Sequence, residues 1–103
     1  MSYPMKIRAT LSGDKVEVKA LIAHEMETGF RKDTAGTLVP AHYIQLVTIQ
    51  CNGKSVLSAQ WGPSVSKNPF LTFRFSGAKK GEKLNITWQD NLGETRSDEV
   101  AIT

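Results

Sequence analysis

Met5, Ile7, Ala9 and Leu11 alternate with Lys6, Arg8 and Thr10, so the two sets point to opposite faces of an extended strand. Ser12-Gly13-Asp14 interrupts this pattern as a turn. From Lys15 to Ala23 the alternation resumes, with Val16, Val18, Ala20 and Ile22 against Lys15, Glu17, Lys19 and Leu21. A helix would scatter those apolar residues around its surface, so the two runs predict a β-hairpin. Between His24 and Pro40 the alternation stops, and charged residues surround Met26, Gly29 and Phe30. Such a long connection in a compact domain is a functional or a disordered loop, and its two large apolar residues favour a packed or partner-binding one.

Ala41 to Cys51 restores strand character, with Tyr43, Val47, Ile49 and Cys51 on one parity and Ile44 and Leu46 on the other. Asn52-Gly53 is the favoured pair for a two-residue type I′ turn, because both positions need positive φ. Lys54 to Gln60 is then the returning strand. Trp61 to Pro69 follows as a corner carrying Pro63 and Pro69, neither of which can donate to a ladder. Phe70 to Phe75 alternates again, placing Leu71, Phe73 and Phe75 on one face. After the polar loop Ser76 to Gly81, Leu84, Ile86 and Trp88 alternate with Asn85, Thr87 and Gln89. Asp90-Asn91-Leu92-Gly93 makes a last turn, and Glu94 to Thr103 closes the chain with Val100 and Ile102 inward. About seven short strands at regular spacing, with no helix, predict an all-β antiparallel sandwich with Trp88 as a core anchor.

The length of 103 residues fits one domain with one core. The net charge of +3 comes from 13 basic and 10 acidic residues that are interspersed. No basic block marks a nucleic-acid arm or a membrane anchor, so neither partner is expected. No apolar run reaches the roughly 18 residues of a membrane span, and Met1 to Leu11 has no apolar leader core. Read from these features alone, the chain is expected to be cytoplasmic or already processed. The single Cys51 cannot close an internal disulfide.

Candidate chemistry is sparse. His24 and His42 are the only histidines, and neither has a cysteine or carboxylate at zinc-like spacing, so no metal and no cofactor is expected. Cys51 would be a nucleophile only with a positive neighbour to hold its thiolate, and a lone cysteine ending a strand is more often a small buried hydrophobe. No G-x-S-x-G elbow or glycine-rich phosphate loop occurs. Glu25, Glu27 and Asp33 form a poor acid pair for glycoside chemistry, since nothing separates their environments. Arg31-Lys32 and Lys79-Lys80 read as solvated loop tips, and Tyr43, Trp61 and Phe70 read as packing residues more readily than as stacking platforms. A binding or subunit role is therefore expected in place of an enzyme.

The ordered set of Met26-Glu27-Thr28-Gly29 with Arg31-Lys32-Asp33, Pro40-Ala41-His42-Tyr43-Ile44, Asn52-Gly53-Lys54, Trp61-Gly62-Pro63 through Ser66-Lys67-Asn68-Pro69-Phe70, and Trp88-Gln89-Asp90-Asn91 before Gly93 resembles the SoxZ family. Glu25 stands where that family usually has a proline. The resemblance implies an immunoglobulin-like sandwich that performs no chemistry. It also implies pairing with SoxY, whose C-terminal Gly-Gly-Cys-Gly-Gly arm carries sulfur intermediates between the Sox enzymes of thiosulfate oxidation. A periplasmic location is implied too, with export alongside a partner that bears the signal. Cys51 lies at a strand end, without flanking glycines, and is not expected to act as a carrier arm. The expected contact surfaces are Met26, Glu27, Thr28, Gly29, Arg31, Lys32 and Asp33 on the long loop, and Trp61, Ser66, Lys67, Asn68, Pro69 and Phe70 on the corner. One is expected to face SoxY and the other to make transient contact with Sox enzymes. The alternative is a stand-alone sandwich module that binds carbohydrate or protein, and a small cysteine-dependent enzyme is a further one.

Overall fold

A computed structural model of the chain describes residues 3–103. Met1 and Ser2, the start of the stretch read for a leader, lie outside the described residues. The strands are β1 (Lys6–Ser12), β2 (Lys15–Leu21), β3 (Ile44–Cys51), β4 (Lys54–Gln60), β5 (Phe70–Ser76), β6 (Lys83–Asp90) and β7 (Thr95–Ala101). They build one sheet in the order β1-β2-β5 and a second in the order β4-β3-β6-β7, all antiparallel. The described residues contain no helix. This is the predicted all-β sandwich.

The alternation read from the sequence decides which faces meet. Val16, Val18 and Ala20 from β2 are fully buried against Val47 and Ile49 of β3 and Leu84, Ile86 and Trp88 of β6 within one core. Each such aliphatic side chain contributes about 1.5–3 kcal/mol by leaving water. Turn chemistry fixes the register. Asn52 and Gly53 have φ of 52° and 78°, as a type I′ turn needs, and Cys51 sits opposite Lys54. Irregular pairing between Ile44 and Leu46 lets β3 bury Ile44 and Val47, which a regular strand would point to opposite faces.

The sandwich is finished differently along its two long sides. On the β1 side, Thr103 N–H donates to the Ala9 carbonyl (3.0 Å), Leu11 N–H donates to the Thr103 carbonyl (2.9 Å) and Ile102 is buried beneath them. Met5 N–H also donates to Asp98 Oδ2 at 3.0 Å, joining the chain ahead of β1 to β7. On the opposite side β4 and β5 each pair with one neighbour only, so their outer edges are without ladder partners among the described residues. Val56, Leu57, Trp61, Val65, Leu71, Phe73 and Phe75 are half-buried there. The rings of Phe73 and Phe75 stack at 6.0 Å.

The stretch after β2 departs from the plain loop read in the sequence. Glu27 pairs with His42 and Lys32 with Leu38 in antiparallel bridges, so the chain goes out and returns as an irregular ribbon. Backbone hydrogen bonds from Val39 N–H to the Arg31 carbonyl (2.8 Å) and from Asp33 N–H to the Thr37 carbonyl (2.9 Å) hold its outer part. Asp33 Oδ1 accepts from the Ala35 and Thr37 amides and closes the tip. Phe30 and Leu38 are left exposed on it, Phe30 at 85%.

Candidate functional site

The feet of the ribbon meet at a buried carboxylate. His24 extends the inward parity of Val16, Val18, Ala20 and Ile22, while Asp90 extends that of Leu84, Ile86 and Trp88, so the strand pattern delivers both polar side chains to the interior. His42 arrives just before β3. Asp90 Oδ2 lies 3.1 Å from His24 Nε2 and 2.7 Å from His42 Nε2. Its Oδ1 accepts from the backbone N–H of Leu92 (3.0 Å) and Glu94 (2.9 Å) in the β6–β7 turn. A carboxylate has about four acceptor positions, and here four donors fill them. Burial pushes the Asp90 carboxyl up, but the hydrogen bonds from His24, His42, Glu94 and Leu92 together outweigh it and hold the group below its ordinary value of 3.8.

The two histidines differ in what fixes them. Met26 N–H donates to His24 Nδ1 at 3.0 Å, so that nitrogen is an acceptor and the ring proton sits on Nε2, where it is given to Asp90. His42 Nδ1 has no partner among the described residues, and its Nε2 also lies 3.6 Å from Glu94 Oε2. Trp88 packs edge-on to His24 at 5.1 Å, and its buried Nε1 has no hydrogen-bond partner among the described residues. A cavity of about 310 Å³ opens beside this group, lined in part by Glu25, Lys67, Asn68 and Glu94.

The two contact segments expected from the sequence converge at this place. Asn68 Oδ1 accepts from His24 N–H (3.0 Å) and Asn68 N–H donates to the His24 carbonyl (2.9 Å), with Asn68 at φ 51°. Lys67 reaches Glu25 at 3.4 Å, an exposed pair made possible by a glutamate at the ribbon entrance. The corner and the ribbon therefore share one end of the molecule.

Within those segments, exposure sorts the residues. Arg31 grips Glu27 through two parallel hydrogen bonds, Nε to Oε1 at 2.9 Å and Nη2 to Oε2 at 2.6 Å, which lowers the Glu27 carboxyl. Thr28, Arg31, Lys32 and Asp33 are exposed, as are Ser66, Lys67, Asn68 and Phe70, while Trp61 is half-buried. Gly29 has φ 90°, and a Cβ there would meet the Ala41 Cβ at 3.1 Å, so the ribbon's two legs need a glycine at this approach. Met26 and Pro69 correct the expectation: both are buried, Met26 at 5% exposure with its Sδ 3.4 Å from the Ile44 amide. They lie beneath the exposed residues of the two segments.

Of the residues considered for chemistry, Cys51 is buried, and burial followed by the charge of Glu82 pushes its thiol up, away from the reactive thiolate. Spacing along the chain hid the convergence of His24, His42 and Asp90 and the approach of Glu94. The readable signal was polar residues continuing the inward parity of β2 and β6.

A family model described as sulphur oxidation protein SoxZ matches residues 5–101. No match was found among curated protein sequences. Among solved structures, a hypothetical protein, PH1083, from Pyrococcus horikoshii OT3 is similar with a TM-score of 0.67 at 21% identity, over 99% of this chain and 89% of that one. Superoxide reductase (neelaredoxin) from Archaeoglobus fulgidus in the reduced form is similar with a TM-score of 0.63 at 18% identity, over 97% of this chain and 87% of that one. The same enzyme from Ignicoccus hospitalis gives 0.62 at 17%, over 99% and 80%. At these identities the likeness is one of fold. The family match spans nearly the whole sandwich, including both converging segments, and the chain belongs to the SoxZ family of sulphur oxidation proteins.

Proposed function

We propose that this chain is the non-catalytic half of a sulfur-carrier pair: it binds SoxY and helps present SoxY's cysteine-bound sulfur intermediates to the enzymes of thiosulfate oxidation, in the periplasm. The observation that carries the reading is the SoxZ match over residues 5–101. The physical form of the molecule supports it. The β4 and β5 edges, with half-buried Leu71, Phe73 and Phe75 behind them, offer backbone groups and apolar surface that a second sandwich can cover. The corner from Trp61 to Phe70 bridges those two edges, so SoxY is assigned to this side. The exposed ribbon carrying Phe30, Arg31 and Lys32 is left for transient contact with Sox enzymes.

Cys51 has no part in this role, because its thiol is buried and held protonated. The test is co-expression with a SoxY that retains its Gly-Gly-Cys-Gly-Gly arm, followed by light scattering of the purified material. A stable one-to-one complex, in which Cys51→Ser preserves thiosulfate-dependent turnover, is expected. Two proteins that elute separately would overturn the pairing, and lost turnover in an intact Cys51→Ser complex would overturn the non-catalytic role.

A further inference from the structure

We infer that the outer face of the β1-β2-β5 sheet is a docking site for an acidic protein segment, whose carboxylates meet Lys6, Arg8 and Lys19 while an apolar side chain next to them covers Leu21 and Phe70. The inference stands apart from the pairing with SoxY and rests on how the strands sort their charges. Basic residues are interspersed along the sequence, yet strand alternation turns one parity of each strand outward and gathers them. Lys6, Arg8, Lys15, Lys19 and Arg74 stand on this face against Glu17 alone. Those charges hold more than the whole +3 excess of the chain.

The fold does not neutralise this face. Glu17 takes Arg74 Nη2 at 2.9 Å and Lys19 Nζ at 3.6 Å, while Lys6, Arg8 and Lys15 have no ion-pair partner among the described residues. Arg8 stands directly opposite Lys19 in the β1–β2 register, a like-charge pairing that weakens a sheet. Carboxylates brought by a partner relieve that repulsion.

The same end of the face supplies the apolar half of the site. Leu21 and Phe70 lie opposite each other in the β2–β5 register and are 39% and 63% exposed. With Lys6, Arg8 and Lys19 they line an open hollow of about 250 Å³. Lys6 and Arg8 are two residues apart on one strand, about 6.7 Å, which is also the separation of alternate side chains in an extended segment. Carboxylates at alternate positions of such a segment therefore meet them in step. A nucleic acid brings phosphates but no aliphatic side chain for Leu21 and Phe70. A bilayer takes up apolar side chains that stand clear of the surface, whereas Leu21 lies within the face between charged neighbours. A protein segment satisfies both halves of the site.

The experiment titrates the full chain, labelled with nitrogen-15, with a synthetic peptide in which glutamate alternates with threonine and a leucine follows the last glutamate. Amide shifts are expected around the hollow, in β1, β2 and Phe70, and are expected to fade as salt is raised. Arg8→Gln combined with Lys19→Gln is expected to weaken binding about tenfold or more while the amide spectrum of the free chain keeps its folded dispersion. A peptide with glutamine in place of glutamate is expected not to bind. Phosphatidylglycerol vesicles and a single-stranded oligonucleotide are the competing probes, and both are expected to bind this face more weakly than the peptide. The proposal is overturned if the peptide does not bind, if its shifts map to another surface, if the double variant binds as tightly as the parent, or if vesicles or oligonucleotide bind this face as tightly as the peptide.

Discussion

The two long sides of the sandwich contrast. Along β1 and β7 the last residues of the chain seal the core: Ile102 is buried, Thr103 exchanges backbone hydrogen bonds with Ala9 and Leu11, and Asp98 receives the Met5 amide. Along β4 and β5 nothing among the described residues plays that part, and seven apolar side chains stay half-buried behind two edges without ladder partners. An exposed flat edge is an aggregation hazard unless it is protected or covered. The contrast is the reason for placing the proposed partner on the β4 and β5 side.

The strongest way to break this comparison is to open the sealed side. Ile102→Ala is expected to lower the stability of the free chain by about 2–4 kcal/mol, measured by denaturant unfolding, because a fully buried aliphatic side chain leaves a cavity. An effect of a few tenths would show that the β1 side is as loose as the other. Next, Asp90→Asn is expected to cost about 2 kcal/mol at neutral pH, since a charged acceptor of four hydrogen bonds is lost. The acid dependence gives a second reading. Asp90 and Asp98 both hold their protons less tightly when folded, Asp98 chiefly through Arg96. The stability they add is full above their ordinary value of 3.8 and drains as pH falls below it through the folded values, and Asp90→Asn should shrink that loss.

On the open side, Phe73→Ala is expected to cost the free chain only about 1–2 kcal/mol, since the ring is half-buried, yet to weaken SoxY binding tenfold or more. Equal losses in free and paired protein would remove the reason for placing the partner there. The smallest effect is expected at Arg31→Ala, with no resolvable change in thermal unfolding, because its pair with Glu27 is solvent-exposed. Its consequence should appear in contact with Sox enzymes alone.

How far the sequence disclosed this architecture follows from the range of each signal. Alternation is local, so all seven strands were legible, and Asn52-Gly53 set its hairpin because two positive φ values demand that pair. The long loop was legible as a loop, but its bridges Glu27–His42 and Lys32–Leu38 were not, because they join residues without a strand pattern between them. Met26 looked like a loop contact, but its position two residues after His24 continues the inward parity and takes it into the core. The meeting of His24, His42 and Asp90 depends on the register between two sheets, which no spacing in the chain encodes. That the corner and the ribbon share one end was likewise out of reach, since it rests on the reciprocal bonds of His24 and Asn68.

The most direct test of a partner-completed sandwich is hydrogen exchange of this chain alone and in complex with SoxY. The account predicts that amides of β4, β5 and the Trp61 to Phe70 corner gain protection in the complex while those of β1 and β7 are unchanged. Protection gained at β1 and β7, or at neither side, would contradict it.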